Sequence, residues 1–335
     1  MLTAAPDHAE AAKPVVPPHR HGVPLRVGTR RSPLALVQTR GFMALLSAFC
    51  PVLRAMDAFE EHALQTTGDA VQDRKLADIG GKGLFAKEIH EALLDRRIDF
   101  AVHSLKDLET SLPDGIVLAC LLPREDARDA LILGPDRSAA YDSDPYAVLP
   151  RGAVVGTSSV RRQAQLLHAR PDLRIVMLRG NVQSRLAKLN AGQCDASLLA
   201  LAGLRRLGME AAASVVLDPD VMVPSAAQGI VGVTVRADDT ELRTLLAAIE
   251  DPAARAVATA ERAMLGMLDG SCRTPIGGHA RLLPDGTLTL TGLVARADGS
   301  FLLKRSRRGL PADAAVIGAD LAHQLRAESP ADIFT

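Results

Sequence analysis

Apolar positions along this chain fall into short runs of strand length, separated by stretches whose apolar residues recur at helical spacing, and the two kinds alternate. Residues 25–28 read as a short buried strand. The turn Thr29-Arg30-Arg31-Ser32-Pro33 then places Ser32 as an N-cap and Pro33 at the first helical position, opening a helix over 34–48. A strand is expected over 59–65 and a polar, glycine-bearing mobile loop over 67–83. A helix over 84–96 and a strand over 98–102 follow, the strand running into His103-Ser104-Leu105-Lys106-Asp107. Polar residues at the C-terminal end of a buried strand lie where open α/β sheets bind ligands.

Strands over 116–121 and 130–133 precede a Pro/Asp/Ser-rich connector at 134–152, after which the rhythm restarts. Strand 153–156, helix 159–169, strand 173–178, helix 181–190 and strand 196–199 make a parallel-sheet pattern. Val27-Gly28-Thr29 and Val155-Gly156-Thr157 echo one another: each ends a strand, precedes a capped helix and is followed by arginines. The echo predicts two similar lobes whose anion-binding turns face each other across a cleft. A strand over 230–235 and helices over 240–249 and 252–268 lead on to strands over 276–283, 288–295 and 301–308 and a helix over 313–327, which make a compact third domain.

Charge changes the picture locally. The chain is formally neutral, with 39 basic and 39 acidic residues, yet residues 156–185 hold six arginines against a single acid, Asp172. With no global field and few aromatics (two Tyr, seven Phe, no Trp), a duplex or single-stranded nucleic acid is a poor partner. A small, multiply anionic ligand suits the paired Arg161 and Arg162 at a helix start, where cations oppose the helix dipole unless an anion is bound. Arg179 repeats the arrangement at a second strand-to-helix turn, whereas Arg170 and Arg174 read as a solvated helix face. The four cysteines lie 70 or more residues apart, which fits neither a zinc site nor a disulfide framework and points to a reducing cytoplasm without metal. The Pro/His/Ala-rich residues 1–22 lack a signal-peptide core and are expected to be disordered, and no stretch has the apolar length of a membrane span.

Among single residues, Cys272 stands out, with Gly, Ser, Arg and Pro around it on an expected exposed turn and a guanidinium beside it that favours thiolate. Cys50, Cys120 and Cys194 read as small core residues. Asp107 has the chemistry to protonate a leaving group or stabilise a developing cation, against the plainer alternative of a strand-end salt bridge. For His103 a core role, bonded to a backbone carbonyl, is the simpler reading. Gly80-Gly81-Lys82-Gly83 lacks the spacing of a nucleotide-binding P-loop.

Seven blocks, in order, resemble the porphobilinogen deaminase (hydroxymethylbilane synthase) family from about Leu25 to the C-terminus. They are R-V-G-T-R-R-S-P-L-A-L-V-Q, I-G-G-K-G-L-F-A-K-E, F-A-V-H-S-L-K-D-L, V-G-T-S-S-V-R-R-Q, L-R-G-N-V-Q-S-R-L, A-A-Q-G-I-V-G and G-S-C-R-T-P-I-G-G-H-A. The resemblance implies an α/β protein of three domains. The first two are similar, mainly parallel lobes built like periplasmic binding proteins (23–124 with 225–248, and 125–224), and the third is a small α+β domain (249–335). It also implies a transferase of tetrapyrrole biosynthesis that joins four porphobilinogen molecules head to tail, releasing ammonia, on a dipyrromethane held to Cys272 by a thioether. Hydrolysis then frees hydroxymethylbilane. Asp107 matches the catalytic aspartate, which would stabilise the cationic azafulvene left when ammonia departs. Ser104, Lys106, Thr157, Ser159, Arg161, Arg162, Arg185 and Gly229 match cofactor contacts; Arg30, Ser32, Gln38, Lys82, Phe85 and Arg179 match substrate contacts. The 67–83 loop corresponds to a lid, and a monomer is the family default. Glu109 stands where proline often follows K-D-L, Asp78 where some members have lysine, and Ser225 where alanine is common. A non-catalytic two-lobed anion-binding protein and a cysteine hydrolase using Cys272 with His279 are the rival readings.

Overall fold

The computed structural model describes residues 22–70, 83–135, 140, 143–268 and 274–334. The expected tail, all but Gly22 of it, Asp78, Lys82 and Cys272 therefore lie outside the described residues. Among the described residues no helix is long and apolar enough to cross a membrane.

The first sheet has the order β2-β1-β3-β10-β4, from Phe59–Leu64, Leu25–Arg30, Phe100–Ser104, Val231–Arg236 and Ile116–Leu121. The second repeats it as β7-β6-β8-β5-β9, from Arg174–Val176, Val154–Gly156, Ala196–Ala200, Asp129–Leu133 and Val215–Val216. In each sheet the fourth strand, β10 or β5, runs antiparallel to both neighbours and the other strands share one direction. Those two strands are the ones that follow a crossing of the chain from one lobe to the other, at 122–128 and 217–230. The echoed turns thus end equivalent strands, β1 and β6.

Local chemistry sets the helix starts. Helix α1 (Pro33–Phe49) is capped by the Ser32 hydroxyl, which accepts the Ala35 amide at 3.3 Å, and buries Ala35, Gln38, Thr39, Phe42 and Leu46 at helical spacing. Helix α2 (Pro51–Ala55) follows directly. Phe42 meets Phe100 of β3 edge to face, centroids 5.8 Å apart. Helix α3 (Thr67–Ala70) is a single turn and α4 spans Lys87–Leu94. In the second lobe, Ser159 caps α5 (Val160–Ala169) and Asn181 caps α6 (Val182–Asn190), and the short α7 spans Leu201–Arg206. Helix α8 (Thr240–Ala247) returns its apolar Leu242 and Leu246 to the first sheet.

The third unit is the antiparallel sheet β11-β12-β13 (Ile276–Leu282, Leu288–Ala295, Leu302–Gly309) under helices α9 (Pro252–Met267) and α10 (Ala314–Glu328). The two helices approach so closely at Gly318 that a Cβ there would lie 2.3 Å from the Ala260 carbonyl oxygen. Edge strand β13 exposes Lys304, Arg305, Arg307 and Arg308, charges that discourage edge-to-edge pairing.

Glu261 of α9, fully buried, joins this unit to the lobes. Its carboxylate accepts the amides of Ala227 (2.5 Å) and Ala280 (2.6 Å) and pairs with Arg124 at 2.6 Å. Arg124 lies on the first crossing and Ala227, at φ 62, on the second. Removing one partner of a buried pair leaves the other charged and desolvated, which costs about 3–5 kcal/mol. Glu261→Gln is therefore expected to lower the unfolding free energy by that amount, seen as a lower urea midpoint at unchanged slope; an unaltered midpoint would contradict the role given to it.

Several expectations are corrected. Residues 67–70 are helical rather than loop, because the Asp69 and Ala70 amides close on Thr66 and the Gly68 amide on Leu84. The strand expected over 98–102 is displaced to Phe100–Ser104: Arg97 and Ile98 donate to Ala92 and finish the α4 turn, while pairing with β10 continues through Ser104. His103 is thus inside the strand, and its Nε2 lies 2.8 Å from the Thr234 hydroxyl rather than a carbonyl. The helix of 84–96 is shortened to Lys87–Leu94 and the strand of 173–178 to Arg174–Val176. Cys50 is only half-buried, at the α1–α2 junction, whereas Cys120 and Cys194 are buried. Arg170 and Arg174 lie on no helix face: Arg170 grips Asp172 and the carbonyls of Tyr146 and Leu149, and Arg174 begins β7.

Candidate active site

Asp107 ends a one-turn 3-10 helix (Leu105–Asp107) at the C-terminal end of β3, and Arg30 ends the adjacent β1. Parallel pairing of these strands brings the Arg30 Nη1 to 3.1 Å from the Asp107 Oδ2. The other face of the guanidinium is held by Asp69, at 2.5 and 3.1 Å, and the Phe85 ring lies 4.2 Å from its centre. Burial works to lower the pKa of Arg30, but the bond to Asp69 and the charge of Asp107 outweigh it and raise it. The Thr66 hydroxyl donates to Asp69 at 2.8 Å and completes this corner.

Lys106 points the other way. Its ammonium donates to Gln228 Oε1 at 3.2 Å, and burial pushes it down to about 8. The Gln228 amide in turn donates to the Ala127 carbonyl (2.7 Å) and to Asp129 Oδ1 (2.8 Å). Asp129, at the start of β5, is fully buried and accepts from Arg161 Nη2 and Arg162 Nη2, each at 2.8 Å. Burial opposes its ionisation, but the two guanidinium groups prevail and hold its pKa well below the usual range. The helix-start arginines therefore already have an internal anion, a correction to the expectation that they wait for a ligand. They are further fixed by the carbonyls of Val223 and Leu198. Arg162 Nε nonetheless remains buried with no hydrogen-bond partner among the described residues.

Arg185 is the least committed cation. Its Nε donates to Gly180 O at 2.8 Å, and among the described residues no carboxylate pairs with it. Burial, then Arg162 and Arg179, lower its pKa to about 10. Arg179 donates to the Gly68 carbonyl at 3.3 Å, linking the second lobe to α3 of the first.

These side chains converge on two adjoining cavities. One of about 570 Å³, between the lobes, is lined by Arg30, Ser32, Phe85, Ser104, Lys106, Asp107, Arg162, Arg179 and Arg185. A second, of about 340 Å³, shares Phe85, Lys106, Asp107, Arg162 and Arg185 and adds Ser159 and Arg161. Its far wall is Leu265, Thr274 and Ile276 of the third unit, and Thr274 is the first described residue after the 269–273 segment that contains Cys272.

Three sequence-named residues do not line either cavity. Gln38 is buried and accepts the Ser104 hydroxyl at 2.9 Å; the Thr157 hydroxyl accepts the Ser159 amide at 3.2 Å. Gly229 belongs to the second crossing, where φ is 90 and a Cβ would lie 2.2 Å from the Glu125 carbonyl oxygen. Its own carbonyl accepts from Arg206 and the Glu125 amide. His279, proposed as a hydrolase base, is likewise absent from both walls and is pushed down to about 4 by burial, then by Arg124 and Arg281. Among the described residues no His/Cys/Asp/Glu group is arranged to hold a metal.

Sequence reasoning missed Asp69, Asp129, Gln228 and Glu261. Only Asp129 had a signal of its own, an acid at the head of an apolar strand run, where it must be paired to be buried.

The family model described as porphobilinogen deaminase, dipyromethane cofactor binding domain matches residues 25–244, and that described as the C-terminal domain matches 256–327. The porphobilinogen deaminase of Paracoccus denitrificans is 51% identical over 311 residues, covering 93% of this chain and 96% of its own. That of Nitrobacter winogradskyi is 47% identical over 92% and 95% of the two chains, and the chloroplastic enzyme of rice 45% identical over 92% and 85%. A periplasmic binding protein from Brucella ovis with glutathione bound aligns only loosely, at TM-score 0.38 and 16% identity over 73% of this chain and 68% of that one. The matched regions span all three sheets and both walls of the cleft, and the chain belongs to the porphobilinogen deaminase family.

Proposed function

We propose that Asp107 is the catalytic residue of this enzyme, that Cys272 carries its cofactor, and that Lys106, Arg161, Arg162 and Arg185 hold the cofactor's carboxylates. The reaction itself follows from the family: a transferase condenses four porphobilinogen molecules with loss of ammonia and releases hydroxymethylbilane, using a dipyrromethane. The observation that carries the assignment is that Asp107 lies on the wall common to both cavities, with Thr274 opposite.

The cleft suits a dipyrromethane, whose two rings each bear an acetate and a propionate. Seven cations (Arg30, Arg31, Lys106, Arg161, Arg162, Arg179, Arg185) stand with four carboxylates (Asp69, Asp107, Glu109, Asp129), an excess that a polycarboxylate neutralises. Among the described residues the terminal nitrogens of Arg185 pair with no carboxylate and are donors available to such acceptors. When bound, the group supplies the free pyrrole carbon to which the first substrate is joined.

Asp107 acts electrostatically and as a proton carrier. Its carboxylate, oriented by Arg30, stabilises positive charge on a pyrrole that has lost ammonia, and walls such as Phe85 exclude the water that would screen it. Arg30, Ser32, Arg179, Phe85 and Lys82 serve the incoming substrate, with Ser104 and Ser159 as neutral donors beside the charged groups. Gln38, Thr157 and Gly229 contribute at one remove, by fixing Ser104, Ser159 and the second crossing. The free thiols of Cys50, Cys120 and Cys194 fit a reducing environment.

Lys106 gives a pH test. Its ammonium is lost as pH rises through about 8, so its grip on carboxylates fails above that value. With ammonia release as the assay, kcat/KM for porphobilinogen is expected to fall above about pH 8, by at most tenfold per pH unit. Lys106→Arg, which keeps its charge, is expected to shift that limb to higher pH. A flat wild-type profile to about pH 9.5 would remove Lys106 from the binding set.

A further inference from the structure

The Asp107 turn is anchored on its upstream side by β10, through the Leu105 amide and the Ile230 carbonyl at 2.9 Å. Downstream, the chain leaves the turn through residues 108–110, and here the anchor comes from a different unit. Arg262 of α9 donates through Nη1 to Leu108 O at 3.1 Å and through Nη2 to Glu109 O at 2.7 Å and Thr110 O at 3.3 Å. Three consecutive carbonyls thus converge on one planar guanidinium.

We propose that Arg262 is a positioning residue for Asp107, fixing the strand-end turn from across the boundary between the third unit and the first lobe. This inference rests on the role given above to Asp107 and extends it to a residue that touches neither cavity.

Two observations separate this from simple gluing of one unit to another. Arg262 lines a crevice of about 590 Å³ together with Thr110, Ser111, Leu118, Arg255 and Met267, so its three bonds lie beside a void, while Leu105 and Leu108 pack on α9. It also has no carboxylate within ion-pair range among the described residues, and burial, as the largest influence, lowers its pKa. A desolvated guanidinium is an expensive tie; its planar fork is suited to holding a set of acceptors in fixed relative positions, which a lysine cannot do.

The preceding residue completes the device. Glu261 fixes Ala227 and Arg124 on the crossings, and the next residue after Ala227, Gln228, receives the Lys106 ammonium. Successive residues of α9 therefore fix the partner of Lys106 and the segment following Asp107. The Glu109 side-chain Oε1 also lies 3.2 Å from His90 Nδ1 on α4.

The test compares cofactor-loaded Arg262→Lys and Arg262→Gln with Arg255→Lys, whose guanidinium tethers the same helix to the Leu118 carbonyl, and with Asp107→Ala. A displacement of about 1 Å at a reacting group can cost 100-fold, so the Arg262 variants are expected to retain the adduct mass and a KM within about twofold while kcat falls about 10- to 100-fold. Arg255→Lys is expected to keep kcat. Normal kcat in the Arg262 variants, or an equal loss in Arg255→Lys at matched stability, overturns the proposal. If Asp107→Ala turns over normally, the reading of Asp107 fails and the proposal with it; if Asp107→Ala is inactive while both Arg262 variants are normal, the positioning role alone falls.

Discussion

Cys272→Ala is expected to leave the purified protein at the mass of its bare sequence and to abolish ammonia release from porphobilinogen. Holding two reactants in one frame is worth effective concentrations of about 10⁵–10⁸ M, and a tether through sulfur secures that advantage through every addition. Without it, the cleft's cations bind a dipyrromethane only reversibly, and each growing product is free to leave. Turnover should fall by more than about 10³-fold, to background. The variant should also unfold at lower denaturant concentration, because Arg161, Arg162 and Arg185 lose the carboxylates that offset their mutual repulsion and because a ligand bound only to the folded form no longer stabilises it. Intact-mass measurement with peptide mapping decides the matter. An adduct that persists on another residue, or residual synthesis of a tetrapyrrole, would refute the assignment of Cys272. Thr274 on the cavity wall is what makes the assignment geometrically reasonable.

Asp107→Ala is expected to fold, carry the adduct and be nearly inactive, with kcat reduced about 10³-fold, the scale on which a preorganised charge or a general acid–base group is lost. Folding should survive because Arg30 keeps Asp69, at 2.5 Å, and its contact with Phe85. Asp107→Glu keeps the charge but moves it by a methylene, and an intermediate loss of about 100-fold is expected. Single-turnover measurement of ammonia separates slow chemistry from slow product release. A normal first turnover in Asp107→Ala would take the carboxylate out of the chemical step.

Much of this was legible in the sequence because it is written locally. Ser32, Ser159 and Asn181 announce their helices by hydroxyl or amide caps, and the apolar runs of the strands need no knowledge of their partners. What failed was non-local or electrostatic. Arg161 and Arg162 looked unsatisfied because their counter-ion, Asp129, lies 32 residues upstream of Arg161 and is brought to them by pairing of β5 with β8. Gln228 sat inside a quoted motif, yet nothing in A-A-Q-G shows that it links Lys106 to Asp129. Thr67-Gly68-Asp69-Ala70 has the composition of a loop and is helical because Arg30 and Glu88 hold it from either side. The ending of β3 was misplaced because strand length is decided by how far β10 continues to pair.

The paired crossings at 122–128 and 217–230 carry a mechanical consequence. A door hung on two pins swings about a single line, so storage of an elongating product between the lobes reduces to one angle of opening. Gln228 lies on one pin and Asp129 directly beyond the other, so the Lys106 grip sits beside the line that such pins define.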